Sequence, residues 1–571
     1  MPVATSPILK AHPRDIERED ALANELGLQR LTAGILVARG YDTAEKVHAF
    51  LRPSLDQLHD PELLPGYREG ADILLDAIKN KRRIYLHGDY DVDGVTSAAI
   101  FSRFFDAVGA NYHVHVPHRI NEGYGLHDSA VQRAVDEKAE IFLTCDCGIT
   151  ANEPVRQARE LGMKVVITDH HEPDTELPPA HAILNPHLAT SRYPFDQLCG
   201  AGVVLKFCAG LARELGHPVG AFYRNFLDLA ALGTVSDMMP LLDENRVITH
   251  FGLQELGRSK KHGLAALREY VLRGATRPLV ARDIGFGFGP RLNASGRMED
   301  AATSLRLLLT RDDEEAQKLA TYVEEVNLRR RQEQDIAVEV AVEMVEARGE
   351  SDRNAIVVYN PEWHPGLIGL IAGKLVDVFY RPTFVLTKAE HGLKGSARSI
   401  EGFNLFQAIQ ALRDECGLGG GGHAAAAGIN IAEENLDKFS LAIHEYVSNT
   451  MSAEQLTRTY VADAEAELAE FNMALVEELD MLAPFGQANP EPSFLVRHAS
   501  VMDARYMGKE GQHLIMKVRQ GNSKPMAVKV WNYGAETPLP EGNVQFVGKP
   551  GINEWQGRRS IEIKTEAVLP A

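Results

Sequence analysis

From Arg82 the chain alternates short apolar runs with helical ones, and most of the apolar runs end in an acidic residue or a histidine. RRIYLHGD, NYHVHVPH, EIFLTCDCG, KVVITDHH and HAILNPH read as short, mostly buried strands. TSAAIFSRFFDAVG and PVRQARELG, which lie between them, have helical spacing. Strands separated by helices predict a parallel sheet with crossover helices, and ligands of such sheets sit beyond the carboxyl ends of the strands. Each polar cluster considered below is expected at such an end.

A chain of 571 residues holds several domains. We place an N-terminal segment, packed on the next domain, at 1–80, and the α/β lobe with the parallel sheet at 81–309. A connector at 310–349 follows. From about Arg311 to Arg348 it is rich in Glu, Arg, Ala and Val and has no Gly or Pro, which predicts one long exposed helix. A second α/β lobe is expected at 350–455. In 456–571, SFLVRHASVMDARYMG, HLIMKVRQG, MAVKVWNYG, VQFVGKPG and RRSIEIKTEAV are strand-like and separated by Gly-rich turns, which fits a small OB-type β-barrel.

No stretch approaches the roughly 20 apolar residues of a membrane helix, and the N-terminus lacks a basic stretch followed by an apolar core. Cys145, Cys147, Cys199, Cys208 and Cys416 are too few and scattered for a disulfide scaffold, so a reducing cytoplasm is expected. The formal charge of −19 argues against a nucleic-acid partner only at first glance. A nuclease needs local basic patches, and within 494–571 Lys and Arg outnumber Asp and Glu.

HGDYDVDG sets His87, Asp89, Asp91 and Asp93 directly after a strand. Carboxylates at alternate positions repel one another if buried unpaired, so they need cations. An EF-hand opens similarly but requires a Glu six residues past the Gly, where this chain has an acid-free helix. LTCDCG ends a hydrophobic strand at Asp146, which by itself reads equally well as a cap or turn former. ITDHHEP contributes Asp169, His170 and His171, and LAALGTVSDMMPL contributes Asp237. Asp and His without Cys point to a hard or borderline ion, Mn²⁺ or Mg²⁺.

DVDG, DCG, DHH and the later isolated Asp resemble, in order and context, the motifs of the DHH phosphoesterase superfamily. PHRINEGYGL, GFGPRLNASGR, WHPGLIGLIAGKL, LKGSARS, GGGGHAAAAG and PFGQANPEP extend the resemblance over about residues 80–495, towards the single-strand-specific 5′→3′ exonucleases of that superfamily. One departure is the Ala run in GGGGHAAAAG, where a bulkier residue is common. The resemblance implies a DHH lobe joined by the long helix to a DHH-associated lobe and then the barrel. It also implies two divalent ions held by Asp91, Asp93, Asp146, His170 and Asp237, with Asp146 bridging. Two cations about 3.5–4 Å apart clamp a phosphate and activate water. His171 would face the scissile phosphate. His87 and Asp89 would be either ligands or, preferably, supports for the ligands.

By the same resemblance, Arg119 and Tyr124 would assist at the 5′ end; in LKGSARS, the hydroxyl of Ser396 and the bidentate guanidinium of Arg398 suit a terminal phosphate. Arg291, Asn293 and Arg297 would contact the strand backbone, although each lone Arg reads equally as a salt bridge. Gly419 to Gly422 would let backbone approach a phosphate, with an Ala-rich helix after His423 pointing its positive end there; a flexible loop is the bland alternative. The expected activity is therefore a single-stranded-DNA-specific 5′→3′ exonuclease of recombination and repair, acting as a monomer. Single-strand-binding protein and repair helicases are its expected partners. A small-substrate DHH phosphoesterase leaves the barrel unexplained. A non-catalytic nucleic-acid-binding scaffold would have lost ligands that are all present here.

Overall fold

The computed structural model describes residues 6–119, 121–123, 125–349, 353–534 and 537–571. It divides into two compact units. A central unit comprises Arg52–Arg330 with Ala483–Pro490, and a split unit comprises Met1–Leu51, Arg331–Leu482 and Glu491–Ala571.

The central unit is built on a five-stranded parallel sheet. Its order is Asn111–His115, Arg83–His87, Ile141–Cys145, Lys164–Thr168 and Ala182–Leu184. The central strands are mostly apolar because both faces are covered; all five residues of Ile141–Cys145 are buried. On one face Ile84, Leu86 and Leu143 join a core with Leu74, Phe101, Phe105 and Val204. On the other, Tyr85, Phe142, Val165 and Ile167 pack on Ala130, Val131, Val155 and Ala158. The chain runs outward from Arg83–His87 to Asn111–His115, then jumps to Ile141–Cys145 on the opposite side. The carboxyl ends of Arg83–His87 and Ile141–Cys145 therefore flank the switch point where such sheets bind ligands. Asp237 departs from the expected strand-end placement: it follows the C-terminus of helix Val219–Ser236.

The long helix is Asp313–Ala347, with Asp313, Glu314 and Glu315 in its first turn, where the helix dipole favours them. Composition predicts it exposed, but Ala316, Ala320, Val323, Ala337, Ala341 and Val345 form a buried stripe.

In the split unit a mixed sheet runs Gly419–Gly422, Ala426–Ile431, Leu393–Arg398, Thr383–Lys388 and Ile356–Tyr359. The expected Ala-rich helix after His423 is instead the strand Ala426–Ile431, paired antiparallel with Gly419–Gly422. The alternation of buried Ala427, Ile429 and Ile431 with exposed neighbours has period two, which only a strand satisfies. The glycines serve that hairpin. A Cβ on Gly420 (φ 103°) would lie 2.2 Å from Gly428 O, and one on Gly422 (φ 151°) would lie 2.5 Å from Ala427 Cα.

The C-terminal strands Phe494–Met507, His513–Arg519, Met526–Val530, Arg558–Pro570 and Asn543–Trp555 lie side by side in that order. Asn543–Trp555 pairs back onto Phe494–Met507 and closes the barrel. The first 80 residues do not act as one segment. Those up to Leu51 belong to the split unit, where Ile8–Ala11 pairs with Thr459–Ala462 and Arg39 meets Asp463 at 2.8 Å.

Candidate metal centre

Asp91 caps helix Val92–Val108, its Oδ1 accepting the N–H groups of Asp93 (2.9 Å) and Gly94 (3.1 Å). The loop before it is tight: a Cβ on Gly94 would stand 2.5 Å from Asp89 O. Asp93 points inward, and its two oxygens accept Gly200 N–H (2.6 Å) and Ala201 N–H (2.9 Å). These amides open helix Gly200–Glu214, whose positive end thus faces a buried carboxylate. Two glycines make room for the acids. A Cβ on Gly200 would lie 2.5 Å from Asp146 Oδ1, and one on Gly233 would lie 2.4 Å from Asp93 Oδ1. Sequence reasoning missed both glycines. The GAG run at the start of an apolar helix was the available signal for Gly200.

Asp146 leaves its strand with φ 63°, and its Oδ1 stands 3.1 Å from His170 Nε2. The same nitrogen is 3.7 Å from Asp93 Oδ2 and 3.6 Å from Asp237 Oδ2. Ligand atoms of Asp93, His170 and Asp237 lie within 4.8 Å of one another, as do those of Asp89, Asp91 and Asp146, and those of Asp146, His170 and His171. Asp146 belongs to two of these groups. Asp169 has a different role. Its Oδ1 accepts from His170 N (2.7 Å), His171 N (3.2 Å) and His171 Nδ1 (2.7 Å), and its Oδ2 accepts from Ile149 N (2.9 Å). Asn185 Nδ2 donates to His171 O at 2.8 Å. The first member of the Asp-His-His triplet therefore orients the third.

Burial, then the carboxylates of Asp93 and Asp91, push Asp237 up to about 9. Burial and neighbouring acids likewise raise Asp89, Asp91 and Asp146. Burial pulls His171 down, but its hydrogen bond to Asp169 and the charges of Asp169, Asp237 and Asp89 outweigh it, leaving the ring at about 9. Oδ1 of Asp89 and Oδ1 of Asp146 are buried and accept no well-aligned hydrogen bond among the described residues, His170 Nε2 approaching the latter only as an ion-pair contact. Each such orphan costs about 1–3 kcal/mol. A hard divalent cation removes both the orphans and the repulsion, so this oxygen-rich set with one or two imidazoles fits Mn²⁺ or Mg²⁺.

His87 stands apart from these ligand groups. It is buried against His115 (5.6 Å between ring centroids) and Tyr85 (6.4 Å), and burial holds it down at about 3. Arg119 lies 4.7 Å over the Tyr90 ring, inside the acidic loop. Tyr124 falls outside the described residues. Arg291 does not reach the surface. It is buried, ion-paired with Glu324 at 2.6 Å and bonded to Gly287 O, because it occupies the inner face of helix Gly289–Met298. Asn293 and Arg297, one turn apart on that helix, are half-buried, and the neighbouring Gly296 packs on Tyr90 O. In the split unit, Ser396 and Arg398 share one face of a strand, with Arg398 donating to Ser396 Oγ at 3.2 Å. Gly369, near the start of helix Ile368–Phe379, lies against both. Gly422 and His423 are exposed at the hairpin turn, without the helix dipole expected behind them.

The family described as "DHH family, N-terminal domain" matches residues 83–234, the "DHHA1 domain" matches 352–449, and the "RecJ OB domain" matches 462–567. The chain is 37% identical to the single-stranded-DNA-specific exonuclease RecJ of Bacillus subtilis (strain 168) over 560 residues, 97% of this chain and 70% of that protein. It is 33% identical to the RecJ of Escherichia coli (strain K12), over 98% of each chain. Among solved structures, RecJ from Thermus thermophilus in complex with Mn²⁺ superposes with a TM-score of 0.85 at 29% identity, covering 100% of this chain and 80% of that one. The Mg²⁺ complex gives 0.79 at 27% identity, covering 100% and 79%.

Proposed function

The chain belongs to the RecJ family of single-stranded-DNA-specific exonucleases, and from that membership we propose that it hydrolyses phosphodiester bonds from the 5′ end of single-stranded DNA. The observation that carries this is the convergence of Asp91, Asp93, Asp146, His170 and Asp237 beside the carboxyl ends of the sheet, where buried oxygens of Asp89 and Asp146 accept no well-aligned hydrogen bond among the described residues. These five residues would hold two Mn²⁺ or Mg²⁺ ions. Bound ions of this kind neutralise phosphate oxygens and make an attacking water more acidic.

The remaining chemistry belongs to the protein. Asp169 fixes the His171 ring through Nδ1. Against the pull of burial, the Asp169 hydrogen bond and the neighbouring carboxylates raise that ring to about 9 in the metal-free fold, and in its protonated form it can donate to a phosphate oxygen or to the leaving 3′ oxygen. In the split unit Ser396 with Arg398 reads the extra charge of a 5′-terminal phosphate, and in the central unit Arg119 assists in holding DNA. The barrel presents Trp531 and Trp555, 40% and 71% exposed, for sequence-tolerant stacking of bases. Asn293 and Arg297 contact the sugar-phosphate backbone, and Gly422 with His423 offers the exposed turn.

Five free cysteines accord with a reducing cytoplasm, and no helix among the described residues is long and apolar enough to cross a membrane. Single-strand-binding protein and repair helicases are the partners this role calls for. The test is digestion of 5′- and 3′-labelled single strands and duplexes with Mn²⁺ or Mg²⁺. Mononucleotide release from 5′-labelled single strands supports the reading. Release from the 3′ end, or equal attack on duplex, overturns it.

A further inference from the structure

The segment PFGQANPEP is unused by the chemistry above, and its placement is unusual. The chain leaves the split unit at Leu482, contributes Ala483–Pro490 to the central unit, and returns at Glu491. Gln487 O accepts the N–H of Leu241 at 2.8 Å, and Arg246 donates to Ala483 O at 2.8 Å. Gly486 presses on the buried Leu241 so closely that a Cβ there would lie 2.7 Å from Leu241 Cδ1. The segment is rigid in itself. Gly486 and Asn489 exchange both backbone hydrogen bonds, and the fully buried Asn489 side chain donates to Pro484 O at 2.9 Å.

Leu241 lies four residues beyond Asp237, the metal-site residue with the weakest support of its own. Its side chain is 29% exposed, against 1% for Asp93 and 3% for Asp146. It stands past a helix end rather than on a strand, and its one ion-pairing neighbour among the described residues is His170, at 3.6 Å. The next residue, Met238, is left-handed (φ 57°) and 70% exposed, a conformation that a non-glycine residue keeps only where its surroundings enforce it.

We propose that Ala483–Pro490 is a clamp that positions Asp237. By tying down Leu241 it holds the Met238 turn in its strained form and keeps the Asp237 carboxylate turned towards His170. Gly486, Gln487 and Asn489 are positioning residues, acting on the ion through Asp237. The inference rests on the metal-centre reading above. It predicts that loosening the clamp weakens metal binding before it affects DNA binding, since groups that orient a metal ligand typically change affinity by about 10–100-fold.

The experiment titrates Mn²⁺ into the full-length metal-free protein by calorimetry and measures single-strand cleavage across Mn²⁺ concentrations. Gly486→Val, which drives side-chain atoms into Leu241, should weaken Mn²⁺ binding about tenfold or more. Its kcat should fall at limiting Mn²⁺ and recover at high Mn²⁺, with KM for DNA unchanged. Adding Leu241→Ala should restore part of the affinity. Leu267→Ala, a core truncation elsewhere in the central unit, is the control for general destabilisation. Mn²⁺ affinity equal to wild type in Gly486→Val, or lowered no more than in Leu267→Ala, overturns the clamp. If Gly486→Val fails to fold, Asn489→Ala is measured in the same way, with the same two outcomes. A wild-type protein that binds no Mn²⁺ would instead overturn the metal-centre reading itself.

Discussion

HGDYDVDG and GLGGGGHAAAAG both look like ligand-binding loops in the sequence, the first for cations and the second for a phosphate, yet the fold treats them oppositely. Around the first, buried carboxylates crowd to within 4.8 Å and two of their oxygens accept no well-aligned hydrogen bond among the described residues. In the second, the four glycines pair across a hairpin, from Gly419 opposite Asn430 to Gly422 opposite Ala427. A cluster that needs a ligand is one whose own polar groups remain unsatisfied once the chain has folded. A run whose special backbone geometry is consumed by its own pairing carries much weaker evidence of function, however suggestive its composition.

The largest test of this contrast is Asp146→Ala. Removing the carboxylate shared by two ligand groups should lower single-strand cleavage by more than about a thousandfold, because several kcal/mol of charge stabilisation depend on the ions. The fold should persist, since the mutation also relieves repulsion; circular dichroism and cleavage rates check both. Activity within tenfold of wild type would place the chemistry elsewhere.

His171→Asn removes the proton donor and leaves the ion ligands in place. It should lower kcat by about 10²–10⁴-fold with Mn²⁺ affinity preserved, as read by rapid kinetics and calorimetry. Arg398→Ala should cut the preference for 5′-phosphorylated over 5′-hydroxyl single strands by about 10- to 150-fold, the worth of one charge-assisted hydrogen bond. The ratio of the two kcat/KM values decides it, and an unchanged ratio makes Arg398 a structural residue.

Gly420→Ala probes the hairpin from the other side. Its Cβ would meet Gly428 O, so the split unit should lose about 1–3 kcal/mol, seen as a lower unfolding midpoint, while Mn²⁺ binding to the central unit is untouched. A parallel loss of Mn²⁺ affinity would break the distinction drawn here.

The smallest expected effect is on pH. Asp237 is raised to about 9 in the metal-free fold, above its unfolded value near 3.9. Its contribution to stability is therefore complete below about pH 4 and is lost as pH rises through about 9. Bound ions replace those protons, so the Mn²⁺-induced rise in the central unit's unfolding midpoint should grow from pH 6 to pH 8, by a few degrees at most. A rise independent of pH would mean that the acids are not ligands.

Local pattern was sufficient for the parallel sheet, the long helix and the barrel strands, because burial on both faces or one imposes a period that apolar residues must follow. It also marked the acids and histidines, whose types are scarce at buried strand ends without a reason. Tertiary structure alone assigned the roles. Asp169 became an orienting acceptor because four donors converge on it. Arg291 became an internal ion pair because its helix face turns inward. Gly200 and Gly233 make room for the site because carboxylates from distant segments press against them. The N-terminal strand joined a partner some 450 positions away, from Ile8 to Thr459. Such contacts join residues far apart in the chain, and no periodicity within a segment encodes which surface it will meet.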